Sequence, residues 1–133
     1  MNVQPYLFFE GRAEEALSFY TKATGTQVSM LMRNREAPEA PPPGMLPPGS
    51  ENKVMHASFK LGDTEVMLSD GHCSGKPQFN GFSLSLTAAD EVAARRVDRH
   101  HRDVPGVRGS VCHQLRDRRI VDDPGRHAGG RSE

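Results

Sequence analysis

The sequence predicts an α+β chain: a βαβββ unit followed by an incomplete second copy. Three observations predict it. Between Val3 and Ser69 the apolar pattern passes from a strand run to a helical stripe and then back to alternation. A Gly62-Asp63 pair sits between two alternating runs, as a two-residue hairpin turn requires. The last aromatic is Phe82, the last methionine Met67 and the last lysine Lys76, although the chain has 133 residues. The aromatic and methionine side chains that help to fill a core therefore stop early.

Val3 to Phe9 is a near-continuous apolar run, expected as a strand covered on both faces. Pro5 has no amide donor and places this strand at a sheet edge or at a strand start. Gly11 breaks it. From Arg12 to Thr24, Ala13, Ala16, Leu17, Tyr20 and Ala23 fall on one helical stripe. Glu14 and Glu15 in the first turn and Lys22 in the last suit the helix dipole. Gly25 is a left-handed stop.

Gln27 to Arg33 alternates, with Val28, Met30 and Met32 on one face. Asn34 to Lys53 holds six of the ten prolines and reads as an extended, mobile loop. Val54 to Ser69 then reads as a hairpin. Counting out from Gly62-Asp63 pairs Leu61 with Thr64, Lys60 with Glu65, Phe59 with Val66, Ser58 with Met67, Ala57 with Leu68 and His56 with Ser69. Met55, Ala57, Phe59, Val66 and Leu68 form the expected core face. His56, Ser58, Lys60, Glu65, Met67 and Ser69 form the open one. Lys60 and Glu65 are placed to form a cross-strand ion pair.

Asp70 to Asn80 is a polar, glycine-rich connection. Gly81 to Leu86 alternates again, Phe82, Leu84 and Leu86 against Ser83 and Ser85. Thr87-Ala88-Ala89-Asp90 has the form of a helix start in which Thr87 and Asp90 cap each other's amides. Ala93, Ala94 and Val97 begin the helix.

Composition limits the function classes. The formal net charge is +0, which argues against nucleic acid as a partner. The segment Met1-Asn2-Val3-Gln4-Pro5 lacks the basic and apolar pattern of a secretory leader. No apolar run reaches membrane-spanning length. The cysteines, Cys73 and Cys112, read as unpaired thiols of a cytoplasmic protein. His72 and Cys73 lack a second pair at zinc-ligand spacing. His100, His101, His113 and His127 with Cys112 match no ligand pattern either.

Taken together, Pro5-Tyr6-Leu7-Phe8-Phe9-Glu10-Gly11 and Glu15-Ala16-Leu17-Ser18-Phe19-Tyr20 resemble the opening of the PhnB-like branch of the vicinal oxygen chelate superfamily. That superfamily includes glyoxalases, bleomycin-resistance proteins and extradiol dioxygenases. His56-Ala57-Ser58-Phe59, Leu61-Gly62-Asp63, Met67-Leu68-Ser69-Asp70 and Gly81-Phe82-Ser83-Leu84 continue the resemblance in order. It covers residues 2–96. It implies paired βαβββ modules forming a cupped sheet, helices on the outer face, a small ligand or metal in the cup, and a homodimer. The cup-facing candidates are His56, Ser58, Glu65, Met67, Ser69, Ser83 and Ser85. The positions that the resemblance assigns to metal ligands are occupied here by Pro5, Met67 and Gly81, none a hard-metal donor. No cofactor is therefore expected, and a divalent metal is the weaker alternative.

The domain assignment that follows is 1–96, with a second module starting near 79, and a separate Arg-rich tail over 97–133, irregular or disordered. From Arg95 to Glu133 stand ten of the thirteen arginines and no Phe, Tyr, Trp or Met. The resemblance implies a last strand reading Trp-Met-Ile-Leu. Ile120-Val121-Asp122-Asp123-Pro124-Gly125 can be encoded ATC GTG GAT GAT CCT GGT, and starting one base later yields Ser-Trp-Met-Ile-Leu. A shifted reading frame after about Arg95 is the expectation. Loss of the C-terminal strands would impair the protein. The expected function is binding of a small molecule. The alternatives are a metal-dependent glyoxalase-like isomerase or dioxygenase, and a non-catalytic dimeric module that sequesters a ligand. Methyl transfer finds no motif, because no Gly-rich nucleotide loop follows the first strand.

Overall fold

In the computed structural model, four strands and one helix form a first module, and a shorter second unit follows. The description covers residues 1–79, 84–101, 111–115 and 118–120, with the backbone alone for Asp98, for His100 and from His101 onward. The first module runs β1 (Tyr6–Phe8), α1 (Ala13–Thr24), β2 (Val28–Arg33), β3 (Val54–Leu61) and β4 (Thr64–Ser69). Its sheet has the order β1-β4-β3-β2. The second unit runs β5 (Leu84–Ala88), α2 (Glu91–His101), β6 (Val111–Leu115) and β7 (Arg118–Ile120), in the order β5-β6-β7. It is one strand short of the first module among the described residues. Those residues hold no helix long and apolar enough to cross a membrane.

The helical stripe forms as its spacing requires. Ala13, Ala16, Leu17, Tyr20 and Ala23 are all buried, and Phe19 joins them. The stacked pair Tyr20–Phe59, 4.9 Å between centroids, ties α1 to β3. Gly25 ends the helix at φ 75°, with its amide on the Thr21 carbonyl. The hairpin keeps the counted register from Leu61↔Thr64 to Ala57↔Leu68. Gly62 turns it at φ 60°.

Several expectations change. The first strand is shorter, and only one of its faces is covered: Leu7 and Phe9 are buried, but Tyr6 is 41% and Phe8 48% exposed. It is an edge strand with Pro5 just before it. The counted His56–Ser69 pairing does not continue the ladder. The Asp70 amide donates to the Val54 carbonyl at 2.8 Å, and the β2 partners step from His56 to Val54, so β3 carries a bulge at Met55. The bulge sends Val54 into the core, and Met55 lies half-buried beside Phe8 instead of on the core face. Thr87 continues β5 instead of capping α2. Asp90 does the capping, its carboxylate accepting from the Ala93 amide at 2.8 Å.

The Pro-rich segment is not extended. It opens with a 3₁₀ turn, Asn34–Glu36, and is fastened at its neck. Asn34 N donates to Lys53 O and Arg35 N to Glu51 O, each at 3.0 Å. Buried Ser50 accepts from the Asn34 side-chain amide through its carbonyl, at 2.8 Å. The expected irregular tail contains the end of α2 and the backbone of β6 and β7. Residues 102–110, 116–117 and 121–133 of it lie outside the described residues.

Candidate functional site

The site is built on a buried aspartate. Asp70 is 1% exposed. One carboxylate oxygen accepts from Ala13 N at 2.6 Å, the other from Val54 N at 2.7 Å. The first amide opens α1 and is an orphan donor of the helix; the second opens β3. One side chain thus pins the start of α1, the bulged start of β3 and the end of β4 together.

Next to this anchor the chain makes a tight double turn. Glu10 has φ 51° and Gly11 φ 103°. Glu10 Oε2 accepts from Ser74 N at 3.0 Å, and Glu10 O accepts from Gly75 N at 2.8 Å. The Ser74 amide is the main reason the Glu10 carboxyl sits below its ordinary pKa. Gly71 (φ 54°) packs so closely that a Cβ there would strike Glu10 Oε1.

The loop 34–53 folds back over this corner. Together they enclose a cleft of about 600 Å³. Phe8, Met55 and Ser69 form its floor, Glu10, Gly71 and His72 one side, and Met45 and Glu39 lie on the loop side. Its size is in the range of small-molecule sites.

Of the seven cup-facing candidates, Ser69 lines this cleft; its Oγ accepts from Gly71 N at 3.0 Å. His56 lies further along the open face, its Nδ1 3.1 Å from the Tyr6 hydroxyl and its ring edge-on to Tyr6 at 5.5 Å. Tyr6 in turn stacks on Phe8 at 4.9 Å. Met67 is half-buried and in register with both Tyr6 and Ser58. Ser58 is only 4% exposed. Glu65 accepts from the Gln4 side chain at 2.9 Å, and no ion pair joins it to Lys60. Ser85 is elsewhere, on a gap of about 430 Å³ between the hairpin end, β5 and α2. Ser83 lies outside the described residues.

Sequence reasoning missed Phe8, Met55, Glu10 and the loop residues. Phe8 and Glu10 stood in a recognised motif, but the uncovered face of β1 and the bulge at Met55 depend on contacts distant in sequence. The donor set does not suit a divalent metal. Pro5 and Met67 are neighbours, with Met67 N donating to Pro5 O at 2.9 Å, but they offer no ligand beyond a soft thioether. Gly81 lies outside the described residues. No group of three His, Cys, Asp or Glu side chains among the described residues could hold a metal ion.

Comparison with known proteins gives consistent results. The protein-family model described as 3-demethylubiquinone-9 3-methyltransferase matches residues 1–119. Protein YjdN of Escherichia coli (strain K12) is 27% identical over 103 residues, spanning 72% of this chain and 69% of its own. The crystal structure of protein PA1353 from Pseudomonas aeruginosa is 28% identical with a TM-score of 0.61, over 75% of this chain and 71% of that one. A PhnB protein structure from Bacillus cereus is also 28% identical, with a TM-score of 0.57 over 75% and 72% of the two chains.

Proposed function

The chain belongs to the family described as 3-demethylubiquinone-9 3-methyltransferase, the PhnB- and YjdN-like proteins, and we propose that within it this molecule binds a small organic ligand in the cleft between Phe8, Met55 and the loop 34–53. The observation that carries the reading is the exposure of Phe8. A Phe left 48% exposed beside a fastened loop, although Tyr6 stacks on it, offers an apolar floor to a ligand.

Methyl transfer draws no support from this geometry. A nucleotide-type cofactor is met by a Gly-rich strand-to-helix turn with free helix amides. Here the turn is Glu10-Gly11-Arg12, and the Ala13 amide is already taken by Asp70. Metal-dependent isomerisation or dioxygenation is disfavoured by donor chemistry at Pro5 and Met67. The shifted reading frame after Arg95 stays a proposal supported by composition; the gene sequence across residues 90–125 decides it.

The ligand reading is tested through the methionines. Of six, Met45 and Met55 line the cleft and the others do not. In methyl NMR of the full chain against a mixed fragment library, binders should move the Met45 and Met55 signals selectively. Phe8→Ala should weaken those binders about tenfold, the value of one lost aromatic wall. Uniform shifts over all six methyls, or an indifferent Phe8→Ala, would end the assignment of the cleft.

A further inference from the structure

The walls of the cleft carry charge of one sign. Among the described residues, Glu10 and Glu39 line it and no Lys or Arg does. Two neighbouring cations are engaged elsewhere: Lys53 Nζ donates to Gly11 O at 2.8 Å, and Arg33 pairs with Glu14 at 2.9 Å; Arg35 lines the adjoining gap. The remaining titratable wall group is His72. Glu10 is held ionised mainly by the Ser74 amide, a neutral donor, with a smaller contribution from His72. The ring of Phe8 and the thioethers of Met45 and Met55 line the same cleft. An aromatic face attracts a cation, and more strongly once water is displaced.

Resting on the reading of this cleft as the ligand site, we propose that it selects an organic cation: an ammonium group carried on an apolar body, in preference to neutral or anionic molecules of the same size. A bare metal ion does not fit. No group of three His, Cys, Asp or Glu side chains among the described residues could hold one. An anion would meet two carboxylates, with no Lys or Arg among the described wall residues to offset them. A body of aromatic-ring size suits both the volume and the apolar floor.

Three probes of similar size separate the terms: phenyltrimethylammonium, 2-phenyl-2-propanol and phenylacetate, each titrated into the full chain by methyl NMR. The ammonium should move the Met45 and Met55 methyls with a Kd about tenfold below that of the alcohol. Phenylacetate should bind more weakly than both. Glu39 is exposed on the loop, so Glu39→Gln should fold normally and narrow the ammonium's advantage while leaving the alcohol's Kd unchanged. Glu10→Gln should narrow it further. If ammonium and alcohol bind equally, or phenylacetate binds best, the cationic preference is overturned and the cleft survives as a ligand site. If none of the three moves those two methyls, both fall together.

Discussion

Asp70 shows how a single side chain holds a site that it does not itself line. Its two oxygens satisfy amides 57 and 16 residues away, both buried. Asp70→Ala leaves those donors without partners at roughly 1–3 kcal/mol each. Urea unfolding should therefore show a loss of about 3 kcal/mol, and Asp70→Asn, which keeps one acceptor oxygen, a smaller one. A loss under about 1 kcal/mol would mean that the amides find other acceptors. Glu10 makes a pH-dependent contribution instead. Its carboxyl is lowered, chiefly by the Ser74 amide, so the folded state favours the charged form. That stability is present above the unfolded carboxylate value, about 4.3, and is lost as pH falls through the lower folded value. Glu10→Gln should flatten the acid limb of a stability–pH curve; an unchanged limb would remove Glu10 from the account. Neither role could be read from the sequence. Asp70 and Glu10 stood inside recognised motifs, but their partners are set by the way β4 returns beside β1 and α1.

At the level of elements, what could be read was what short-range patterns specify. The stripe from Ala13 to Ala23 has one period, and the helix buried that stripe. Gly62-Asp63 has one favourable turn, and five strand pairs followed from it. The register failed at Met55, where a bulge forms because Val54 must meet Asp70 while the loop 34–53 closes behind it. No local signal marks that position, and the cleft floor depends on it. Two glycines separate backbone strain from crowding. At Gly62 a Cβ would meet nothing within 4 Å, so Gly62→Ala should cost only the left-handed penalty, about 1–2 kcal/mol. At Gly71 the same penalty is joined by a collision with the Glu10 side chain. Gly71→Ala should therefore lower the denaturation midpoint more than Gly62→Ala does, and also disturb the Met55 methyl signal. Equal midpoints would show that Glu10 moves aside freely.

Across the whole molecule the burial is unequal between the two modules. The main cluster runs from Leu7 to Leu68, and Val97 is its one member from beyond that range among the described residues. Leu84 and Leu86 of β5 reach it only partly buried. The α+β class, and a second unit one strand short among the described residues, could be read because both follow from where the aromatics and methionines run out. The pairing of β5 with β6 could not, since it joins residues of strand pattern to a segment without aromatics or methionine, set among the arginines of the C-terminal stretch. The second unit is attached through α2: Ala94 and Val97 are buried, and Arg96 Nε donates to the Ala23 carbonyl at 3.0 Å, at the last turn of α1. Few apolar contacts over a long chain make a region that opens before the rest. Native-state hydrogen exchange should then resolve two tiers. Amides of β3 and β4 should exchange only through global unfolding. Those of β6 should open earlier, with protection about a hundredfold lower, equivalent to about 2.7 kcal/mol. Val97→Ala should lower the β6 tier by more than the β3–β4 tier, because it loosens the attachment while leaving Phe59, Leu68 and Tyr20 in place. Equal protection in both sheets, falling together in Val97→Ala, would instead make the chain one cooperative unit whose second half contributes fully to its stability.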